Sequence, residues 1–210
     1  MGVPLGAFAA GTPRRLPHGV TVVRQGELGE CLFLVTDGAV RLSSVTSDGT
    51  EVVVGILGAG DLFGESALLE APSPVEARVL GEAELVALPT DHLLDVFGCE
   101  PLTAEQVVRL VAARLHRTAR ALEDALSRDV PARLTRRLLD LAEAHGAPTP
   151  DGVVIRVPIT QDELARMVGA ARETVNRALG RLSARGLVSA KSGTVLIRDP
   201  DALGRAPTVS

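Results

Sequence analysis

Aromatic residues are nearly missing from this chain, which has four Phe, no Trp and no Tyr among 210 residues. That scarcity excludes the exposed ring platforms on which single-stranded nucleic acid stacks. Cysteine is also scarce. Cys31 and Cys99 are too few for a disulfide framework or for a four-thiolate zinc or iron–sulfur site, and they read as reduced thiols. No run reaches the roughly 20 apolar residues of a membrane span. The apolar start, Met1 to Gly11, lacks the basic segment of a secretory signal. The expectation is a cytoplasmic protein with no membrane partner.

The chain has ample apolar content, 46% of its residues, so it is not disordered as a whole. Its net charge of −4 hides a strong asymmetry. Residues 1–101 carry 5 basic and 14 acidic side chains, residues 102–130 carry 5 and 4, and residues 131–210 carry 12 and 8. An acidic front with a basic back suits a molecule whose back alone approaches a polyanion.

Those three stretches are also three textures. In 1–101, short apolar runs read as strands: Val20–Val23, Cys31–Thr36, Ala39–Ser44, Val52–Leu57, Val75–Leu80 and Glu84–Leu88. Gly26-Glu27, Asp37-Gly38, Asp48-Gly49 and Gly58-Ala59-Gly60-Asp61 punctuate them as turns, with Asp48-Gly49 the clearest hairpin. Closely spaced strands with no helical run between them predict a jelly-roll β-barrel. Residues 102–130 hold one long helix, free of Gly and Pro from Thr103 to Arg128. Along it Val108, Val111, Leu115, Thr118, Leu122 and Ala125 follow heptad spacing. Such a stripe can lie on the helix's own domain. Its narrowness, and the flanking Arg114, Arg117, Arg120, Glu123 and Asp124, favour a homodimer seam.

Residues 131–210 open with a helix from Pro131 to His145 whose Leu134, Leu138 and Leu141 share a face. A Gly- and Pro-rich loop, Gly146 to Gly152, and a strand, Val153–Val157, come next. Two short helices then follow. The first has Thr160 as N-cap and Glu163 three residues on, a capping box, and Gly169 to end it. The second runs Ala171 to Leu182, with Val175, Leu179 and Leu182 inward and Arg172, Glu173, Asn176 and Arg177 outward. This is the helix-turn-helix pattern, whose second helix enters the major groove. Arg suits O6 and N7 of guanine, and Glu the N4 amino group of cytosine. Thr160, Gln161 and Thr174 lie at helix N-termini, where phosphates are favoured. Gly186 to Ile197 reads as a two-stranded wing with Lys191 near its tip, a phosphate contact. The partner these residues call for is double-stranded DNA.

Residues 159–197, ITQDELARMVGAARETVNRALGRLSARGLVSAKSGTVLI, resemble the winged helix-turn-helix of the Crp–Fnr family, the cyclic-AMP receptor proteins and their relatives. The segment GAGDLFGE, Gly58 to Glu65, is similar to that family's phosphate-binding cassette, and residues 103–129 to its central dimerisation helix. The resemblance implies an α+β chain with a sensor β-barrel, a dimerisation helix and a DNA-binding domain, and it implies no enzyme. It implies that Arg172, Glu173 and Arg177 read inverted TGTGA-like half-sites. It further implies that residues 148–156 lie where activators of the family touch RNA polymerase, so an activator is expected.

By the same resemblance the effector pocket would involve Gly64, Glu65, Arg78 and Thr118. The family places an Arg and a Ser on the phosphate where this chain has Val75 and Glu76, and a Ser on the base where it has Ala119. Strong cyclic-AMP binding is therefore not expected. The family's Cys cluster is absent, Cys31, His18, His92, His116 and His145 show no haem-ligand pattern, and no cofactor or metal is expected. The chain reads as a regulator independent of cyclic AMP, or as one retuned to another small effector. Two other classes are weaker. A metal-dependent jelly-roll enzyme needs His ligands on its strands, and there is no His between Val20 and Leu88. A cyclic-nucleotide-binding regulatory subunit that contacts only proteins leaves the helix-turn-helix unexplained.

Overall fold

The computed structural model describes residues 11–99, 101–191 and 193–205. The apolar start, the acidic Glu100 and Ser192 in the wing turn lie outside them. The chain divides into two compact units, Met1–His116 and Arg117–Ser210, with the boundary inside the long helix.

The first unit is an antiparallel sheet built round two long strands. Its strands are β1 (Arg14–Leu16), β2 (Thr21–Val23), β3 (Cys31–Val45), β4 (Glu51–Gly58), β5 (Leu62–Phe63) and β6 (Glu76–Pro89). The path runs β1-β6-β3-β4, with β2 on β6 and β5 on β3. Four of the expected strands have thus fused into two. Asp37-Gly38, expected as a turn, is instead paired with Glu84 and Ala83 inside β3, between two bulges, one of which leaves Thr36 without a β6 partner in the register. The register slips on either side of the dipeptide, and Gly81 and Glu82 are left unpaired on β6. Gly38 sits at φ +79°, and a Cβ there would lie 2.0 Å from the Glu82 carbonyl oxygen. A bulge bends a strand without ending it, so a turn dipeptide can serve within a continuous ladder. Asp48-Gly49 does make the expected hairpin, with the Gly49 amide on the Thr46 carbonyl.

Alternation along β3 and β6 feeds two cores. Val35, Val40, Leu42, Ala77, Val79 and Leu85 face inward with Leu57 and Phe63. Leu32, Leu34, Val86 and Leu88 face outward onto Leu93 of helix α1 (Leu93–Cys99) and Val107 of α2 (Pro101–Ser127), with Phe97 and Leu110 beside them. Phe33 and Phe63 stack at 5.0 Å. Among the described residues the aromatic rings, Phe33, Phe63 and Phe97, sit in or against the cores.

In the second unit α3 (Val130–His145) starts at Asp129, whose carboxylate accepts the Ala132 amide. Leu134, Leu138 and Leu141 are buried as expected. The segment expected as a loop is a hairpin, β7 (Gly146–Thr149) with β8 (Gly152–Ile155). Pro148 is tolerated because β7 is the edge of the sheet β7-β8-β10-β9. Helices α4 (Gln161–Val168) and α5 (Arg172–Ala184) follow, then the wing, β9 (Val188–Lys191) and β10 (Thr194–Ile197). A last short helix, α6 (Pro200–Gly204), capped by Asp199, buries Leu203.

Gly38→Ala meets backbone as well as a disfavoured φ, whereas Gly49→Ala meets only the φ. Urea unfolding should show the first to cost clearly more than the ~1 kcal/mol of the second. Equal costs would mean the bulge does not need the close approach.

Candidate nucleic-acid interface and sensor pocket

The helix-turn-helix is set by its caps. The Thr160 hydroxyl accepts the Glu163 amide at 3.1 Å, and the Glu163 carboxylate accepts the Thr160 amide at 2.6 Å, completing the box. The hydroxyl also donates to that carboxylate at 2.9 Å. Its hydrogen is therefore committed, and a phosphate oxygen, an acceptor only, finds no free donor there. A phosphate contact from the Thr160 side chain would have to replace this bond, while the capping box orders the helix start. Gly169 is left-handed at φ +62°, with its amide on the Ala165 carbonyl. Ala170 bonds the same carbonyl at 3.1 Å, so three residues turn the chain into α5.

On α5 the two faces separate as the sequence indicates. Val175, Ala178, Leu179 and Leu182 are buried, while Arg172, Glu173, Asn176 and Arg177 are exposed. No side chain caps the start of α5 at Ala171. Thr174, one turn in, is half-buried and lies 3.4 Å from an Arg177 nitrogen. The start of α4, the start of α5 and the wing enclose an open cavity of about 580 Å³. Thr160, Gln161, Arg172, Gly193 and Thr194 line it. The Ile159 amide on the Gly193 carbonyl, at 3.0 Å, ties the wing turn to the entry of α4. Lys191 ends β9 opposite Thr194, and its side chain lies outside the described residues.

The pocket expected in the first unit is small and already paired. Gly64, at φ +88°, opens the turn at Glu65–Leu69, and a Cβ there would lie 2.5 Å from the Cys31 carbonyl oxygen. The cavity beside it is about 20 Å³, lined by Val23, Leu42, Phe63, Gly64, Glu65 and Val75 among others. That is room for about one water. The Glu65 carboxylate is bound at 2.8 Å by Arg114, which also donates to the Leu62 carbonyl. Arg114 was expected to seek water beside the seam. It turns inward instead, because it follows Val107 and Leu110 along the face of α2 that covers the sheet.

Arg78 also needs correction as a pocket residue. Ala77 and Val79 face the inner core, so by alternation Glu76 and Arg78 face the other way. They pair with each other at 2.8 Å. Neither the cation nor the carboxylate points at the cassette, and Val75, which lines the cavity, is the residue facing it. Thr118 is exposed on α2 in the second unit. Missed from sequence was Arg114, whose spacing from Val107 and Leu110 was the available signal. Burial, with Glu30 and Asp91 nearby, pushes the Cys31 thiol up, the direction of an unreactive thiol.

The expected seam on α2 is open. Val108 (66% exposed), Leu115 (66%) and Leu122 (62%) face solvent with Val111, as do Thr118 and Ala125. On the opposite side Thr103 and Val107 are buried. One face of the helix thus covers its own domain, and the other, the expected seam, is exposed. Among the described residues no helix is long and apolar enough to cross a membrane.

Comparison with known proteins agrees with this geometry. Residues 13–98 match the cyclic nucleotide-binding domain model and residues 132–206 the Crp-like helix-turn-helix domain model. A CRP-like cAMP-activated global transcriptional regulator of Mycobacterium tuberculosis is 37% identical over 97% of this chain and 93% of its own. The cyclic AMP receptor protein of Thermus thermophilus is 35% identical over 89% of this chain and 84% of its own. Among solved structures, the c-di-GMP-responsive global regulator CLP of Xanthomonas campestris superposes with a TM-score of 0.73 at 29% identity, covering 91% of this chain and 96% of that one. FixK2 of Bradyrhizobium japonicum, at 19% identity, shares the fold with a TM-score of 0.81 over 96% of this chain and 99% of that one. The chain belongs to the Crp–Fnr family of DNA-binding transcription regulators.

Arg177→Ala should cost ~1–3 kcal/mol and relax base preference at one position per half-site. Lys191→Ala should weaken all sequences about equally and lower the salt slope by roughly one unit. Anisotropy titrations on single-base operator variants check both, and equal losses of specificity would overturn the division of roles.

Proposed function

We propose that this chain is a cytoplasmic homodimeric regulator that reads inverted TGTGA-like half-sites through Arg172, Glu173 and Arg177, without requiring cyclic AMP. The observation that carries DNA reading is the exposed quartet on α5, completed by Asn176. It lies beside a cavity that Gln161 and Thr194 share with Arg172. A base edge takes the Arg and Glu groups. Phosphates take the amides at the start of α5, Gln161, Thr174 and Lys191. The exposed stripe on α2 supports the homodimer, since a second copy covers it with the same residues. Two-fold symmetry then sets the two copies of α5 about 34 Å apart, matching half-sites one helical turn apart.

Independence from cyclic AMP rests on the pocket. A cyclic phosphate carries a full negative charge and needs a cation or several donors. Val75 gives none, Arg78 faces away, and Glu65 is bound by Arg114. Small volume and absent charge act in the same direction. The second reading, a small-effector-dependent regulator, is favoured by the names of the relatives, one cAMP-activated and one c-di-GMP-responsive. As an activator the protein would meet RNA polymerase through 148–156, which includes the exposed tip of the β7–β8 hairpin.

The deciding experiment is a fluorescence-anisotropy titration on a TGTGA-type palindrome at fixed salt, with and without cyclic AMP. Equal, tight and sequence-specific curves are expected. Binding that appears only with the nucleotide would establish the effector-dependent reading and require another source for the missing cation.

A further inference from the structure

We propose that Arg133 is the positioning residue that holds the first helix of the helix-turn-helix, and through it α5, against the end of α2. The inference rests on the reading of α5 as the base-contacting helix. Arg133 lies one turn into α3 and its guanidinium bonds two backbone carbonyls from separate elements. Nε donates to the Val168 oxygen at 2.9 Å, and Nη1 donates to the Arg128 oxygen at 2.9 Å.

One acceptor ends a helix and the other directly follows one. Val168 is the last residue of α4, so its carbonyl is among the four that have no partner within the helix. A cation there also meets the negative end of the helix dipole. Arg128 follows the last residue of α2. Its amide bonds the Asp124 carbonyl at 3.0 Å and its side chain the Asp124 carboxylate at 2.6 Å. The Arg128 carbonyl is thereby fixed to the final turn of α2.

The link has little slack. A guanidinium is planar and offers its donors in a rigid fork, so two bonded carbonyls are held at a set separation. On the far side, only Gly169, Ala170 and Ala171 separate Val168 from Arg172, the first residue of α5. The amides of Gly169 and Ala170 are both bonded to the Ala165 carbonyl. A displacement at the end of α2 is therefore passed to the start of the groove-reading helix. The core of α3 is filled by Leu134, Leu138 and Leu141, so the guanidinium is not needed to pack it.

Two variants of the full chain test this. Arg133→Met keeps the apolar stem and removes the donors. Arg133→Lys keeps the charge beside α4 and loses the fork. Operator affinity should fall about tenfold in Arg133→Met, the scale of one charged hydrogen bond. Affinity for random-sequence duplex, governed by phosphate contacts, should stay within about twofold. Hydrogen exchange at the amides of 169–172 should quicken while that of α3 is unchanged. Arg133→Lys should keep the wild-type melting temperature but not the wild-type operator affinity. Wild-type operator affinity with wild-type exchange in Arg133→Met would overturn the assignment. So would uniformly faster exchange across 117–210 with a lowered melting temperature, the mark of a purely structural residue. If the wild-type chain binds no operator, the DNA reading fails, and the exchange data alone still decide whether Arg133 holds the turn.

Discussion

A helix can cover its own domain with only one face, and α2 carries two apolar faces. Thr103, Val107 and Leu110 lie toward the sheet, with Arg114 continuing the row to Glu65. Val108, Val111, Leu115 and Leu122 lie toward solvent. Burying a large apolar side chain fully is worth about 1.5–3 kcal/mol, so a stripe of four is a strong demand for a partner. A second copy answers it without any new sequence, because an isologous contact uses the same residues from both sides. Much of the functional proposal depends on that constraint. A dimer supplies two copies of α5, and two copies give an operator its symmetry.

The same helix governs the sensor. Arg114 sits on the covered face, and its ion pair to Glu65 gives the cassette carboxylate an internal partner. Arg114 is one-fifth exposed and Glu65 about two-fifths exposed, so the pair is screened in part and its worth lies in geometry more than in energy. The proposed independence from cyclic AMP rests on the lack of a cation at the cavity. Val75 faces it, and the neighbouring Glu76 and Arg78 neutralise each other on the opposite face of β6. The pocket is therefore small and has no cation in its lining, and its one acidic residue is taken.

The legible parts of this chain were those governed by local rules. The box from Thr160 to Glu163, the left-handed Gly169 and the two faces of α5 follow from residues three or four positions apart, and the structure forms each of them. Asp37-Gly38 and the Pro-rich stretch around Pro148 were misread because local turn chemistry also serves bulged and edge strands. Only the partner strand tells these apart. Arg78 and Arg114 depended on a face rather than a residue type. Alternation from Val79, and helical spacing from Leu110, assign both once a core is known. The short α6 carried a signal, Asp199 before Pro200, that its brevity hid. Arg133 had none, since its acceptors are backbone carbonyls five and thirty-five residues away.

The central claim is that two symmetry-related copies of α5 read guanines from the major groove. Methylation interference at guanine N7 on a bound operator tests it most directly, because N7 faces that groove and is the Arg acceptor. The account predicts two clusters of interfering guanines in inverted orientation, with centres about 10 base pairs apart. Interference confined to one cluster, or its absence with binding intact, would contradict it.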